Sequence, residues 1–343
     1  MTQTKEALVA RGLVKSLGAR KVVNGIDLTV SPNTVTALLG ASGAGKSTVL
    51  RLLAGLESAD SGTVQIGDRI LSGPKVNIAP EKRNTGLIFQ DFALFPHLKA
   101  IDNVAFGLKG FSKSARGAEA LKWLDRMGLA QRAQAFPHEL SGGEQQRVAI
   151  ARALAPGPDA ILMDEPFSGL DPALRDDVAD ITLSAIRETG VPAVFVSHDA
   201  NSAMARADTL AIMRSGKLLQ TGTAEALFEA PASLDVAAAL GPINTFHIDS
   251  LPDGLWGTEL RPSQILAVRQ TAFRIDPTSP CAAQVQHVAR VGEEVQLSVR
   301  AGHSDFTFRL PHYQRPRVGD QINLSLHPDG AFIFDYDATE IDT

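Results

Sequence analysis

Val35-Thr-Ala-Leu-Leu-Gly40-Ala41-Ser42-Gly43-Ala44-Gly45-Lys46-Ser47-Thr48 is the stretch on which the fold turns. Val35–Leu39 is a short apolar run, the way a strand buried on both faces of a parallel sheet reads. Gly40 to Thr48 matches G-x-x-x-x-G-K-[ST], and a helical pattern then runs from Lys46 to Leu56. Strand, glycine-rich loop and helix in that order separate a phosphate loop from a chance match. The glycines let the backbone curl so that successive N–H groups point at phosphate oxygens. The positive end of the following helix reinforces them. Lys46 adds a point charge for the β- and γ-phosphates, and Ser47 Oγ can reach Mg²⁺.

Further runs of the same kind follow. Ala160–Met163 and Ala193–Val196 read as buried strands, and Gly143–Leu154 and Pro172–Glu188 read as helices. The alternation predicts an α/β core. Ala160-Ile-Leu-Met-Asp164-Glu165 is an apolar strand ending in two carboxylates. The first is placed to hold Mg²⁺ through water. Glu165, one residue on, faces another way and can polarise the attacking water as a general base. Leu140-Ser141-Gly142-Gly143-Glu144-Gln145-Gln146-Arg147 opens a helix with a small, polar loop, which makes a second anion site. Ser141 is also a natural helix cap, and capping does not compete with binding.

Composition sets the outer bounds. The chain has 343 residues, enough for about two domains. Its net charge is −5, which disfavours a general nucleic-acid binder. With 44% hydrophobic and 21% charged residues it is an ordinary globular composition. The single cysteine, Cys281, allows no internal disulfide and fits a reducing compartment. No signal peptide and no run of about 20 apolar residues is visible, so work at a membrane needs a partner there.

The pattern changes after about Pro231. Lysine stops at Lys217, and period-two alternation takes over in Gln284–Val288, Glu294–Val299, Asp305–Leu310 and Gln321–Leu326. These read as half-buried strands of a small antiparallel barrel or sandwich. The Ala-rich stretch Ala230–Gly241 reads as a linker between a first domain over 1–235 and a second over 240–343.

Residues 1 to about 235 resemble, in the family order, the nucleotide-binding subunit of ABC transporters. The phosphate loop, Asp164-Glu165 and the Leu140–Arg147 signature carry the resemblance. Gln90, after Gly86-Leu-Ile-Phe, stands where the family has its Q-loop glutamine. Ser168-Gly169-Leu170-Asp171 is similar to the D-loop, with glycine where alanine is commoner, and His198 to the switch histidine. The resemblance implies an α/β P-loop NTPase cassette with a helical subdomain, using ATP and Mg²⁺. Catalytic work would fall to Glu165, His198 and Gln90, and the metal to Ser47, Gln90 and Asp164. It also implies a head-to-tail homodimer, in which Ser141–Glu144 of one copy closes over the ATP of the other. Gln90–Leu98, with Phe92 and Phe95, would receive the membrane permease. Where the family usually has an aromatic under the adenine, this chain has Leu17, which offers apolar contact but no π-face.

The C-terminal hundred residues resemble the TOBE-type accessory domain of binding-protein-dependent importers. Phe195-Val-Ser-His-Asp and Leu260-Arg-Pro-Ser-Gln264 look most like ferric-iron importer subunits; sugar, polyamine, sulfate and thiamine importers are related. A peripheral place on the cytoplasmic face of the membrane follows, with a periplasmic binding protein acting through the permease. A soluble ABC ATPase of DNA repair or translation is the rival. One cassette, no heptads between Lys46 and Ser141, and an acidic tail oppose it. A P-loop kinase or GTPase leaves the signature unexplained.

Overall fold

The strand that leads into the phosphate loop, β3 (Val35–Leu39), is buried along its whole length. It lies inside a six-stranded sheet with β7 (Thr85–Ile88), β8 (Ala160–Asp164), β9 (Ala193–Ser197), β10 (Thr209–Arg214) and β11 (Lys217–Gly222). The order is β11-β10-β3-β9-β8-β7, parallel except for the β10–β11 hairpin. This computed structural model describes residues 5–335 apart from Gly110 and Glu259.

A second sheet was not foreseen. β1 (Leu8–Leu17), β2 (Arg20–Val30), β4 (Ser61–Ile66), β5 (Arg69–Gly73) and β6 (Val76–Asn77) form an antiparallel sheet in the order β2-β1-β4-β5-β6. Helix α1 (Lys46–Ala54) packs with both sheets. Leu8, Leu13, Ile26 and Val64 belong to one core with Leu38, Leu162 and Val194 and with Val49, Leu50, Leu52 and Leu53 of α1. This explains why α1 is apolar on more than one side.

The C-terminal carbonyls of α1 meet a buried cation. Arg83 is 0% exposed. Nη1 donates to the carbonyls of Leu52 at 3.0 Å and Leu53 at 2.9 Å. Nε donates to Ile78 O at 2.8 Å, and Nη2 to Asn77 Oδ1 at 3.1 Å. Burial pushes the guanidinium below its usual range. A cation there complements the negative end of the helix dipole. Arg83→Lys keeps the charge but not the planar fork. It is expected to cost about 1–3 kcal/mol, read as a lower urea midpoint with an unchanged slope. An unchanged midpoint would show that these bonds hold nothing.

Between β7 and β8 lie α2 (Ala100–Ala105), α3 (Lys113–Arg126) and α4 (Gly142–Leu154), the helical subdomain. α5 (Pro172–Thr189) and α6 (Ala200–Arg206) follow β8 and β9.

The chain divides at Ala224/Glu225 into two units, earlier than the expected boundary near 235–240. Ala230–Gly241, expected as a linker, carries α8 (Leu234–Ala239), capped by Ser233 and preceded by α7 (Ala224–Glu229). Arg269 explains why this stretch belongs to the second unit. Its guanidinium bonds the carbonyls of Phe228 and Ala237 and lies 3.6 Å from the Phe228 ring centroid.

The second unit is all-antiparallel apart from its short helices. β12 (Ile243–His247), β13 (Gln264–Arg269) and β19 (Ala331–Asp335) form one sheet. β14 (Phe273–Ile275), β15 (Cys281–Val291), β16 (Glu294–Ala301), β17 (Ser304–Pro311) and β18 (Gln321–Leu326) form the other, in the order β14-β18-β15-β16-β17. The four alternating runs lie in β15 to β18. The core is an aromatic cluster, with Phe273 stacked on Phe306 at 5.2 Å and on Phe308 at 5.1 Å.

Candidate functional site

Four motifs stand at the carboxyl edge of one sheet because four parallel strands end there. Gly40 follows β3, Glu165 follows β8, His198 follows β9 and Gln90 comes two residues after β7. The carboxyl ends of parallel strands are where open α/β sheets bind ligands.

The phosphate loop is shaped by close backbone approaches. A Cβ at Gly40 would lie 2.2 Å from Met213 O, and one at Gly45 2.2 Å from Val22 O. Gly45 also has φ +100° and caps α1 with no side-chain bond. The first N–H groups of α1 are therefore left for an anion. Lys46 is 6% exposed, and its ammonium donates to Gly40 O at 2.7 Å and Ala41 O at 3.0 Å. Burial lowers its pKa, and the nearby Glu165 and Asp164 oppose that shift.

Ser47 Oγ donates to Asp164 Oδ1 at 3.0 Å. A hydroxyl and a carboxylate side by side are hard oxygen donors of the kind Mg²⁺ takes, with water and phosphate completing its shell. The residues present thus fit the metal. Glu165 sits just past β8 in left-handed backbone, φ +46°. That turn separates its carboxylate from that of Asp164, and Ser168 bonds Glu165 O through both N–H and Oγ. Glu165 Oε2 lies 3.1 Å from His198 Nδ1. Gln90 is exposed.

Ser141 caps α4 in a full capping box. Glu144 N–H donates to Ser141 Oγ at 3.3 Å, and Ser141 N–H donates to Glu144 Oε2 at 2.8 Å. That backbone bond is the main reason the Glu144 carboxyl titrates below its usual range. Arg132, which the sequence reading did not single out, pairs with Glu144 at 3.2 Å. Among the described residues, no hydrogen bond or ion pair joins Ser141–Glu144 to Lys46, Asp164 or Glu165. The structure thus gathers the phosphate loop, Asp164, Glu165 and His198, and leaves the signature apart. Leu17, at the end of β1, is 54% exposed. The Asp171 carbonyl accepts the N–H groups of Leu174 and Arg175 at the start of α5. Phe92 and Phe95 are half-buried, Phe95 lying 4.4 Å from Phe106.

The ABC transporter family profile matches residues 23–168, and the TOBE domain profile matches 260–334. The Fe(3+) ions import ATP-binding protein FbpC 1 of Rhizobium meliloti is 37% identical over 340 residues, covering 93% of this chain and 95% of that protein. The Fe(3+) ions import ATP-binding protein FbpC of Haemophilus influenzae is 32% identical over 345 residues, covering 95% and 98%. Among solved structures, the dimeric ATP-binding cassette MJ0796 bound to ADP and Pi superposes with TM-score 0.57 at 29% identity. It covers 63% of this chain and 98% of that one. With the strand-end site, the signature helix and these relatives in agreement, the chain belongs to the ABC transporter family, as an ATP-binding cassette followed by a TOBE domain.

Proposed function

We propose that this chain is the ATP-hydrolysing subunit of a ferric-iron importer. It would work as a homodimer on the cytoplasmic face of the membrane beneath a permease, with a periplasmic iron-binding protein acting through that permease. The observation that carries the ATPase reading is the approach of Ser47 to Asp164 beside Lys46 and Glu165. The cargo is carried by the relatives, which are named for Fe(3+) import and match along nearly the whole chain. No helix among the described residues is long and apolar enough to cross a membrane. In this reading the transport path is supplied by the permease.

In this reading Gly40–Thr48 wraps the phosphates and Lys46 exchanges its two loop carbonyls for phosphate oxygens. Ser47, Asp164 and Gln90 hold Mg²⁺, which when bound neutralises phosphate charge. Glu165 takes the proton of the attacking water, and His198 touches the γ-phosphate. Ser141, Gly142, Gly143 and Glu144 of the second copy close the site, with Asp171 at the seam. ATP thereby favours the closed dimer, which binds it on two surfaces. Gln90–Leu98 receives the permease, and residues 240–343 form an accessory, regulatory domain.

Uptake of labelled ferric iron tests the cargo. Cells whose sole copy of the chain carries Lys46→Ala should lose uptake above background. Undiminished iron uptake, with loss of sulfate, polyamine, thiamine or sugar uptake instead, would move the chain to a sister importer.

Leu17 sets a second expectation. A base stacked on an aromatic gains about 1–3 kcal/mol. Leu17→Tyr is expected to tighten ATP binding within that range and to leave the maximal rate nearly unchanged, because the base is remote from the γ-phosphate. Competition with a fluorescent nucleotide reads it. Tight, strictly adenine-specific binding by the wild type would show that another residue supplies the platform.

A further inference from the structure

Arg152 lies near the C-terminal end of α4, the helix whose first turn is capped by Ser141. Its guanidinium crosses to the segment that follows Gln90. Nη1 donates to Ala93 O at 2.7 Å and Nη2 to Phe92 O at 3.0 Å. The same group lies 5.6 Å from the Phe95 ring centroid. Burial depresses its pKa.

The turn it holds is unusual. Phe92 has φ +61° and Ala93 φ +44°, the one consecutive pair of non-glycine residues in left-handed backbone among the described residues. Such backbone persists only where its surroundings over-determine it. A planar fork holds two adjacent carbonyls in one fixed orientation. An ammonium can also reach two carbonyls, as that of Lys46 does, but it is a rotating point donor on a flexible stem and fixes their direction less firmly. Asn103 of α2, 0% exposed, fastens the rest of the segment. Its Oδ1 accepts from Phe95 N–H at 2.9 Å, and its Nδ2 donates to Leu98 O at 2.9 Å. Both anchors sit on the helical subdomain.

We propose that Arg152 is a positioning residue that fixes the Phe92–Ala93 turn to the far end of the Ser141 helix, so that both ends move as one body. α4 has 13 residues and acts as a rod about 20 Å long. A tilt of about 10° about one end moves the other by about 3.5 Å. A nucleotide gripped by Ser141 would thereby shift Gln90–Leu98. This rests on the reading of Ser141 as a contact to the second copy's nucleotide.

The test uses the single, buried cysteine Cys281, which leaves an introduced thiol as the one accessible label site. His97 is exposed within the segment. The full chain carrying His97→Cys and Glu165→Gln is labelled with an environment-sensitive fluorophore and mixed with ATP and Mg²⁺. Dimer formation is followed by size exclusion alongside emission. With Arg152 present, emission should shift as the dimer forms. With Arg152→Lys added, the dimer should form within about threefold of the same ATP concentration, while the shift shrinks more than about fivefold. Hydrogen exchange in the 89–98 peptide should rise at least about tenfold, with Val35–Leu39 unchanged.

An undiminished shift, or unchanged exchange in 89–98, overturns the proposal. Where Arg152→Lys lowers the melting temperature and loses dimer and shift together, Arg152→Gln repeats the comparison, and the same joint loss there assigns Arg152 to packing alone and overturns the proposal. No dimer even with Arg152 present overturns the reading of Ser141 instead, and the proposal with it.

Discussion

Replacing Glu165 with glutamine should lower ATP turnover by about 10²–10⁴-fold, the range for a lost general base, while an ATP-bound dimer persists or accumulates. Glutamine keeps the size of the side chain and can still bond His198, which lies 3.1 Å from the carboxylate. It cannot take a proton from water. ATP itself is gripped elsewhere, by the loop from Gly40 to Thr48 and by Lys46, so binding should survive. Phosphate release measured alongside size exclusion with ATP and Mg²⁺ reads both halves. A variant that hydrolyses at the wild-type rate removes Glu165 from the chemistry. An unchanged melting temperature guards against a trivial loss through unfolding.

Ser141→Arg should abolish hydrolysis without preventing ATP from binding the same protomer's phosphate loop. It sets a bulky cation where the partner's γ-phosphate docks. It also removes a helix cap, which costs about 0.5–2 kcal/mol, so loss of activity alone would be ambiguous. Mixing resolves it. Ser141→Arg and Lys46→Ala chains are each expected to be inactive. In a mixed head-to-tail dimer the two lesions fall in one composite site and leave the other whole. Random mixing of equal amounts should then recover up to about a quarter of the wild-type rate, because half the dimers are mixed and each has one sound site. Full activity of Ser141→Arg alone, or no recovery on mixing, rules out the head-to-tail arrangement.

The strand-end motifs were legible because their chemistry needs particular residue types at fixed spacing beside an apolar run. The antiparallel sheet of the first unit was not. β1 carries register irregularities near Ala10, Leu13 and Lys15 in its pairing with β2, so the alternation that marks a half-buried strand is interrupted. β13 escaped for the opposite reason. Five consecutive residues from Ile265 to Arg269 are buried, so no period of two survives. Arg83 and Arg152 were invisible because most of their partners are backbone carbonyls. Every residue offers a carbonyl, so no second side chain in the sequence marks the contact. Arg132 does pair with a side chain, Glu144, but across a loop whose path no periodicity predicts.

The gathering of Gly40, Gln90, Glu165 and His198 at strand ends also shapes how such a chain can evolve. Strand interiors answer to volume and register alone, and volume-conserving swaps there cost under about 1.5 kcal/mol. Val35–Leu39 or Ala160–Met163 can therefore be rewritten over many generations while the chemistry stays still. Length is a different matter. One residue inserted into β8 would carry Glu165 about 3.3 Å along the strand and turn every later side chain to the opposite face. Lineages descended from a common cassette should therefore accumulate substitutions inside these strands and place their insertions in the loops at the opposite, amino-terminal ends.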